Sequence, residues 1–309
     1  MFKPIHKLVN WFPYDKIYWD TLSMNPNAIK ILEKNLDKVD WSGLCKNPNA
    51  IPIIEKNWNE NLDKIDWWWL SENPNAIDII KRNLDKVCWF TLSENENAID
   101  LIEKNLYKIN WGLLCKNQKA IHILEKNLKK IDWYMISCNP KAIHLIKKNL
   151  HEIDWAMLST NINAIEILET HLQEVDWYLL SYNSNAIHIL EKNIDKIKWD
   201  WLSMNPNAIP LIERNLDKVD FGHLSSNVNA IHILEKNLNK IDWHMLSGNP
   251  SIFVLDRDAM REQIKNFGKK NENDFGFAEE LIATVLHPRH FERNLIKYGY
   301  NIALDEYMD

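Results

Sequence analysis

Glycine is scarce, with seven in 309 residues, and no Pro- or Ser-rich stretch interrupts the chain between Trp19 and Pro250. That scarcity disfavours a loop-rich catalytic fold and leaves no obvious hinge. No Gly-rich phosphate loop or nucleophile elbow is present. Cysteine is equally sparse. Of the four, Cys45 and Cys115 fill a slot that is Ser in other repeats, Cys88 replaces an Asp, and Cys138 sits at a variable position. Such scattered substitutions form neither a disulfide framework nor a paired zinc motif, and they suit a reducing compartment. No run approaches the ~18 apolar residues of a membrane span, so no membrane partner is expected. Met1-Phe2-Lys3-Pro4-Ile5-His6 lacks the apolar core and cleavage site of a secretory signal. Positive charge is also short. A net charge of −6 and a pI near 6.0 argue against broad phosphate binding, which needs a basic stripe.

What the chain has instead is a repeat. An anchor aromatic returns at Trp19, Trp41, Trp67, Trp89, Trp111, Trp133, Trp155, Trp177, Trp199, Phe221 and Trp243, every 22 residues except for one step of 26. Length alone would suggest about two domains. An internal period overrides that, because repeats stack along one line without splitting. One continuous array over 19–250 is expected, and an apolar content of 46% is ample for its core.

Each unit reads as two short helices, giving an all-α, αα-hairpin solenoid of about eleven repeats. The first, helix A, is announced by an acid before the anchor, as at Asp40, Asp66, Asp132, Asp154, Asp176, Asp220 and Asp242. Asp caps well because its carboxylate accepts orphan backbone N–H groups. Trp41, Leu44 and Cys45 then share one face at i, i+3 and i+4, which must point inward. Helix B is expected to begin at an Asn found in every unit (Asn25, Asn47, Asn73, Asn95, Asn117, Asn139, Asn161, Asn183, Asn205, Asn227, Asn249), often followed by Pro. Asn at N-cap with Pro at N1 is a strong start signal. Ala28, Ile29, Ile31 and Leu32 typify its buried stripe. Its end is expected at a second Asn, such as Asn35, Asn83, Asn105 or Asn127, in the left-handed conformation of a Schellman ending.

The 26-residue step adds four residues within Glu55–Asn61. That is about one helical turn of 3.6, so it is expected to extend a helix without rotating its apolar face. A leucine-rich repeat is the architectural rival. It fails because the slot two residues before Leu44 holds Ser42, and its counterparts are Gly112, Ala156 and Asp200.

Stacked repeats expose an apolar face at each end unless something covers it. Residues 1–18, with Trp11, Phe12, Tyr14 and Tyr18, are therefore expected to form an N-terminal cap, and 251–309 a C-terminal helical cap. Within the latter, 251–267 reads as a lengthened last helix B, 268–274 as a polar loop, and 277–286 and 288–298 as two further helices.

The motif Asn-Pro-Asn-Ala-Ile-x-Ile-Leu-Glu-Lys-Asn-Leu-Asp-Lys-Ile-Asp-Trp-x-x-Leu-Ser resembles the short tandem repeats of proteins encoded by giant nucleocytoplasmic large DNA viruses of the mimivirus type. The segment from Glu279 to Gly299 resembles the close of such arrays. The resemblance spans nearly the whole chain. It implies a viral product made in host cytoplasm that could enter the virion, and implies little about activity.

Four histidines, His122, His144, His188 and His232, share one slot. Neighbouring repeats lie ~8–10 Å apart whereas zinc needs ligands at ~2 Å from one point, so no metal site is expected. The capping acids are also one per repeat. No acid–base pair at catalytic distance is visible, so the chain is read as a non-enzyme without a cofactor. His287, Arg289, His290 and Arg293 form the one compact ionisable group, read either as a helix start or as a patch contacting an anion or a partner. The repeated Trp is assigned to the core.

The informative contrast lies between two faces. Helix B repeats Glu-Lys, as at Glu33-Lys34 and Glu103-Lys104, and reads as solvated. Outward positions of helix A, one and five residues after the anchor, vary: Trp68 with Glu72, Phe90 with Glu94, Tyr134 with Cys138, Tyr178 with Tyr182, Asp200 with Met204. Exposed aromatics on rigid helices are what protein-binding surfaces use. A protein partner is therefore expected at Trp68, Trp69, Phe90, Tyr134, Tyr178, Tyr182, Trp201 and His244. The alternative is single-stranded nucleic acid stacking on those rings. Net charge, and the lack of Arg or Lys beside most of them, disfavour it.

Overall fold

The computed structural model describes residues 5–262. The chain divides into two compact units, His6–Val254 and a second made of Met1–Ile5 with Leu255–Asp309. The first contains the repeats. Its described residues hold 21 short α-helices, from Trp19–Met24 to Trp243–Ser247, several one-turn 3-10 segments and the short strand β1 (His6–Leu8), which pairs with β2 (Phe253–Leu255).

Each A helix starts where the sequence places it. Asp40, Asp66, Asp132, Asp154, Asp176, Asp220 and Asp242 each accept a backbone N–H from the first turn, and Asn110 does the same for Leu113 at 2.8 Å. The Leu three residues after the anchor is fully buried in most repeats, and Ile136 takes its place in one. Helices this short are marginal alone. Packing between repeats must hold them.

That packing is organised by the first asparagine, whose role extends beyond the one its sequence position suggests. The α-helical part of B begins at Ile, as in Ile77–Arg82, four residues after the Asn. In two repeats a 3-10 turn, Glu96–Ala98 or Pro206–Ala208, fills the gap, and Asn95 and Asn205 are its N-caps as expected. Its Oδ1 accepts the N–H two residues on, closing a turn, as Asn73 does for Asn75 at 3.0 Å. The side-chain amide then reaches across to the preceding repeat. Asn47 Nδ2 donates to the carbonyls of Ser23 (3.0 Å) and Asn25 (2.9 Å), and Asn161 Nδ2 to those of Ser137 (2.9 Å) and Asn139 (3.0 Å). All of these asparagines are buried. A buried carbonyl left unpaired costs about 1–3 kcal/mol, so each amide guards two such losses.

Two further bonds recur at most junctions. The serine closing an A helix bonds the carbonyl four residues back and accepts the N–H that opens the next repeat, as Ser23 Oγ does from Asp40 at 3.0 Å. Cys115 Sγ fills the same place for Asp132 at 3.3 Å. The asparagine two residues later binds the preceding repeat from the surface, as Asn185 Nδ2 does the Ile162 carbonyl at 2.9 Å.

The ends of the B helices also depart from expectation. Asn83 has φ −137° and Asn105 φ −135°, so neither is left-handed. The side chain does the capping instead, with Asn83 Nδ2 donating to the Ile79 carbonyl at 2.9 Å. His171 copies this bond through Nδ1 to Ile167 O at 2.9 Å. The four extra residues do not lengthen their helix either. Ile51–Lys56 is six residues long, the same as Ile77–Arg82, and a turn follows it. Asn57 Nδ2 caps Ile53 O and Asn61 Nδ2 then caps Asn57 O, while Trp58 packs edge-on against Trp67. The insertion duplicates the cap rather than the helix.

The array closes on itself. Asn25 Nδ2 donates to Ser247 O (3.1 Å) and Asn249 O (3.0 Å), Tyr18 N–H to Ser247 Oγ (3.0 Å), and Asn27 Nδ2 to Pro250 O (3.0 Å). The two Asn25 bonds are those that every interior junction makes, and the Tyr18 and Asn27 bonds are those that most of them make, now joining the last repeat to the first. The open faces expected beneath terminal caps therefore cover each other. β1 and β2 pair beside the seam, and buried Phe12 meets Trp243 edge-on at 5.3 Å. Residues 250–255, read as the start of a long helix, are a 3-10 turn (Pro250–Ile252) and then β2. The segments 268–274, 277–286 and 288–298 lie outside the described residues.

Most neighbouring A helices pack directly against one another, Trp243–Ser247 against Trp19–Met24 included. Neighbouring B helices approach less closely and are bridged by long side chains, such as Arg82–Glu55 (2.6 Å) and Arg214–Glu191 (2.7 Å). In a closed ring the more tightly spaced elements take the inner circumference. The A helices thus form the inner wall and the B helices the outer one.

Candidate functional site: the helix A wall

The positions expected to face outward from helix A do so in part. Trp68, Phe90, Tyr134, Tyr178, Tyr182 and His244 are exposed, with Tyr134 at 52%. Trp69 and Trp201 are half-buried, and Trp69 packs against the core. Trp68 and Phe90, one repeat apart, stack at 5.2 Å between ring centroids with a 30° interplanar angle. Tyr182 meets Trp201 edge-on at 6.4 Å. Lys46 sits 4.1 Å above Trp69, and Lys198 4.5 Å above Tyr178. Two aromatic clusters therefore stand on this wall, at repeats three and four and at repeats eight and nine. Tyr134 lies between them. His244 belongs to neither: it bonds Asp20 across the seam at 3.0 Å and lies edge-on to Tyr18 at 5.2 Å.

The anchor aromatics are a separate set. They line the edge of the core, mostly half-buried, and several carry a lysine from the following turn, as Lys38 over Trp19 (5.2 Å) and Lys240 over Phe221 (4.5 Å). Their exposed faces are already occupied. The ridge rings stand one residue further on.

Methionine is the part of this wall that sequence reasoning passed over. Met24, Met135, Met157, Met204 and Met245 all occupy helix A positions two or five residues after the anchor, five of the eight methionines in the chain. Their signal was present as a slot preference outside the aromatic one. Flexible thioethers adapt to varied apolar partners.

The remaining candidate groups fall into structural roles. His122, His144, His188 and His232 each pair with a Glu of the preceding repeat at 2.7–2.9 Å, on the outer wall. Burial pushes the thiols of Cys45 and Cys115 up to about 11, well away from nucleophilic poise. A shallow depression of about 420 Å³ beside the insertion, lined by Glu55, Trp58, Ile79 and Arg82, brings together no group beyond the Glu55–Arg82 pair. His287, Arg289, His290 and Arg293 lie outside the described residues. No described helix is long and apolar enough to cross a membrane.

Compared with known proteins, the chain matches no family model, no curated protein and no solved structure.

Proposed function

We propose that this chain is a non-enzymatic scaffold that holds a protein partner on the helix A wall. One observation carries the reading: the two walls have opposite chemistry on the same rigid frame. The outer wall is charged and bridges its repeats through ion pairs, whereas the inner wall keeps half-exposed Trp, Phe and Tyr on helices fixed by buried hydrogen bonds. Side chains that are rigid, large and amphipathic give the most binding energy for the least ordering cost. By the resemblance noted above, the partner would be a viral or host protein in host cytoplasm. Capture on immobilised protein tests the reading. Replacing Trp68, Phe90, Tyr178 and Tyr182 together by Ser should abolish retention of partner while shifting the melting temperature little. A collapse of stability instead would make those rings part of the core and end the proposal.

A further inference from the structure

The inner wall carries charge as well as rings. Its positions one residue before the anchor, and one, two and five after it, hold eleven carboxylates: the seven capping Asp, Asp20, Asp200, Glu72 and Glu94. They hold three ammonium groups, on Lys46, Lys116 and Lys198, which leaves a net of −8. The whole chain is −6, so everything else sums to +2. The negative charge of the protein is thus concentrated on the wall that also carries most of its exposed rings and five of its eight methionines.

Little of that charge is neutralised locally. Lys116 pairs with Glu94 at 2.6 Å, Ser42 Oγ donates to Asp66 Oδ2 at 2.9 Å, His244 bonds Asp20, and His223 Nδ1 lies 3.2 Å from Asp220 Oδ1. The capping carboxylates accept one or two N–H groups each and keep their outer lone pairs; Asp40, Asp132, Asp220 and Asp242 remain exposed. A concave wall that is acidic, ring-bearing and methionine-rich complements a segment with cations on one face and apolar groups on another. Arg and Lys gain both from the carboxylates and from the faces of Trp68, Phe90 and Tyr178.

Size points the same way. Eleven helices at roughly 8–10 Å spacing give a circumference of roughly 90–110 Å. Subtracting a helix radius of about 5 Å leaves an opening roughly 18–25 Å across, wide enough for one helix of about 10–12 Å and its side chains.

On the reading above, that the A wall binds protein, we infer that its occupant is a basic amphipathic helical segment of a partner protein, seated against the arc from Trp68 to Trp201.

Three synthetic helical peptides of about 20 residues serve as probes. One has Lys and Arg opposite Leu and Ile, a second replaces each cation by Glu, and a third replaces each Leu and Ile by Ser. The full chain should bind the first, measured by fluorescence anisotropy, with affinity falling at least about tenfold between ~50 and ~300 mM salt. The second should not bind and the third should bind weakly. Charge is tested on the wall by Asp40→Asn, Asp132→Asn, Asp220→Asn and Asp242→Asn combined. Asn110 shows that Asn makes the same cap, so the fold is retained while four charges go. This variant should lose about tenfold for the first peptide.

Equal or tighter binding of the Glu peptide, or no loss in the Asn variant, overturns the basic assignment. If the Glu peptide is lost on Trp68→Ser with Phe90→Ser, the ridge reading survives that failure. Failure of the first peptide to bind overturns the inference. Binding of all three unaffected by any ring or cap variant overturns the ridge as well. Tighter salt-sensitive binding of a random single-stranded RNA would assign the wall to nucleic acid instead.

Discussion

The seam between the last and first repeats and the ten interior junctions use the same bonds under different constraints. At an interior junction such as that around Asn161, the two repeats are also joined by the chain itself. At the seam, Asn25, Asn27 and Tyr18 reproduce the interior set at 3.0–3.1 Å without that tether. Tyr18 stands at its cap position, where seven interior repeats have Asp, and its last repeat has a 3-10 turn in place of a B helix. β1, β2 and Phe12 stand beside it instead. Closure without distortion of these bonds shows that the junction geometry itself contains the curvature, about 33° per repeat for eleven repeats. The ring follows from the unit, and the strands lock it.

Breaking a buried asparagine at each place separates the two constraints. Asn161→Leu removes two hydrogen bonds to buried carbonyls and one turn bond, and should cost about 3–5 kcal/mol, read from urea unfolding. Its ring should stay shut under native conditions, because the chain holds the two repeats together. Asn25→Leu removes the same bonds where no chain does. It should raise the radius of gyration in solution scattering, which Asn161→Leu should not. Equal radii for both variants would mean the strands alone close the ring.

Phe12→Ala tests the lock. The ring is 5% exposed and packs on Trp243, so its loss should cost about 2–4 kcal/mol and open the seam at lower urea than the interior unfolds. Coincident transitions by scattering and by far-ultraviolet circular dichroism would count against a separable lock.

Smaller effects are expected where a junction substitutes one donor for another. Cys45 and Cys115 replace the buried serine, and the thiol contact of Cys115 is long at 3.3 Å. Cys115→Ser should change stability by no more than about 1 kcal/mol, in the stabilising direction. Because burial raises both thiols to about 11, neither should react with Ellman's reagent at pH 8 until the protein is unfolded.

How much of this was legible beforehand depended on whether the cause was local. The period located every anchor, the Asp caps followed from one side chain and one N–H, and the monotony of Glu-Lys marked a solvated face on helix B. The first asparagine was recognised as fixed but given a local task. Its side chain has one acceptor and two donors, and only the acceptor is used within its own repeat; the donors go to a neighbour that a linear reading does not place. The second asparagine was assigned a left-handed backbone when its amide could reach back four residues instead. Closure was illegible for a different reason. It depends on a small rotation per repeat that accumulates over eleven units, and no residue type encodes an angle. Expecting open ends, the sequence reading supplied caps. Of the candidate site, aromatic exposure was readable because a surface Trp is unusual, whereas the methionine and acid content of the same wall appear only once the A helices are set side by side.

The weakest contact at the seam is the Asp20–His244 pair. Asp20 and His244 meet at 3.0 Å, and both side chains are about half exposed (59% and 46%). Burial alone would raise the Asp20 carboxyl, but the Thr21 N–H, the His244 hydrogen bond and the His244 charge together hold it below its ordinary 3.8. A carboxyl depressed in the folded state stabilises that state above its unfolded value and loses this contribution as pH falls through the folded value. The seam should therefore weaken on acidification below about 3.8 by this group. Exposure and screening keep the effect under about 1 kcal/mol. Asp20→Asn should remove that part of the acid dependence and leave the interior junctions as they were. Comparing the variant with the parent protein between about pH 5 and pH 2, with scattering as the readout for the seam, gives the outcome directly: parallel curves would mean that the pair contributes nothing to closure.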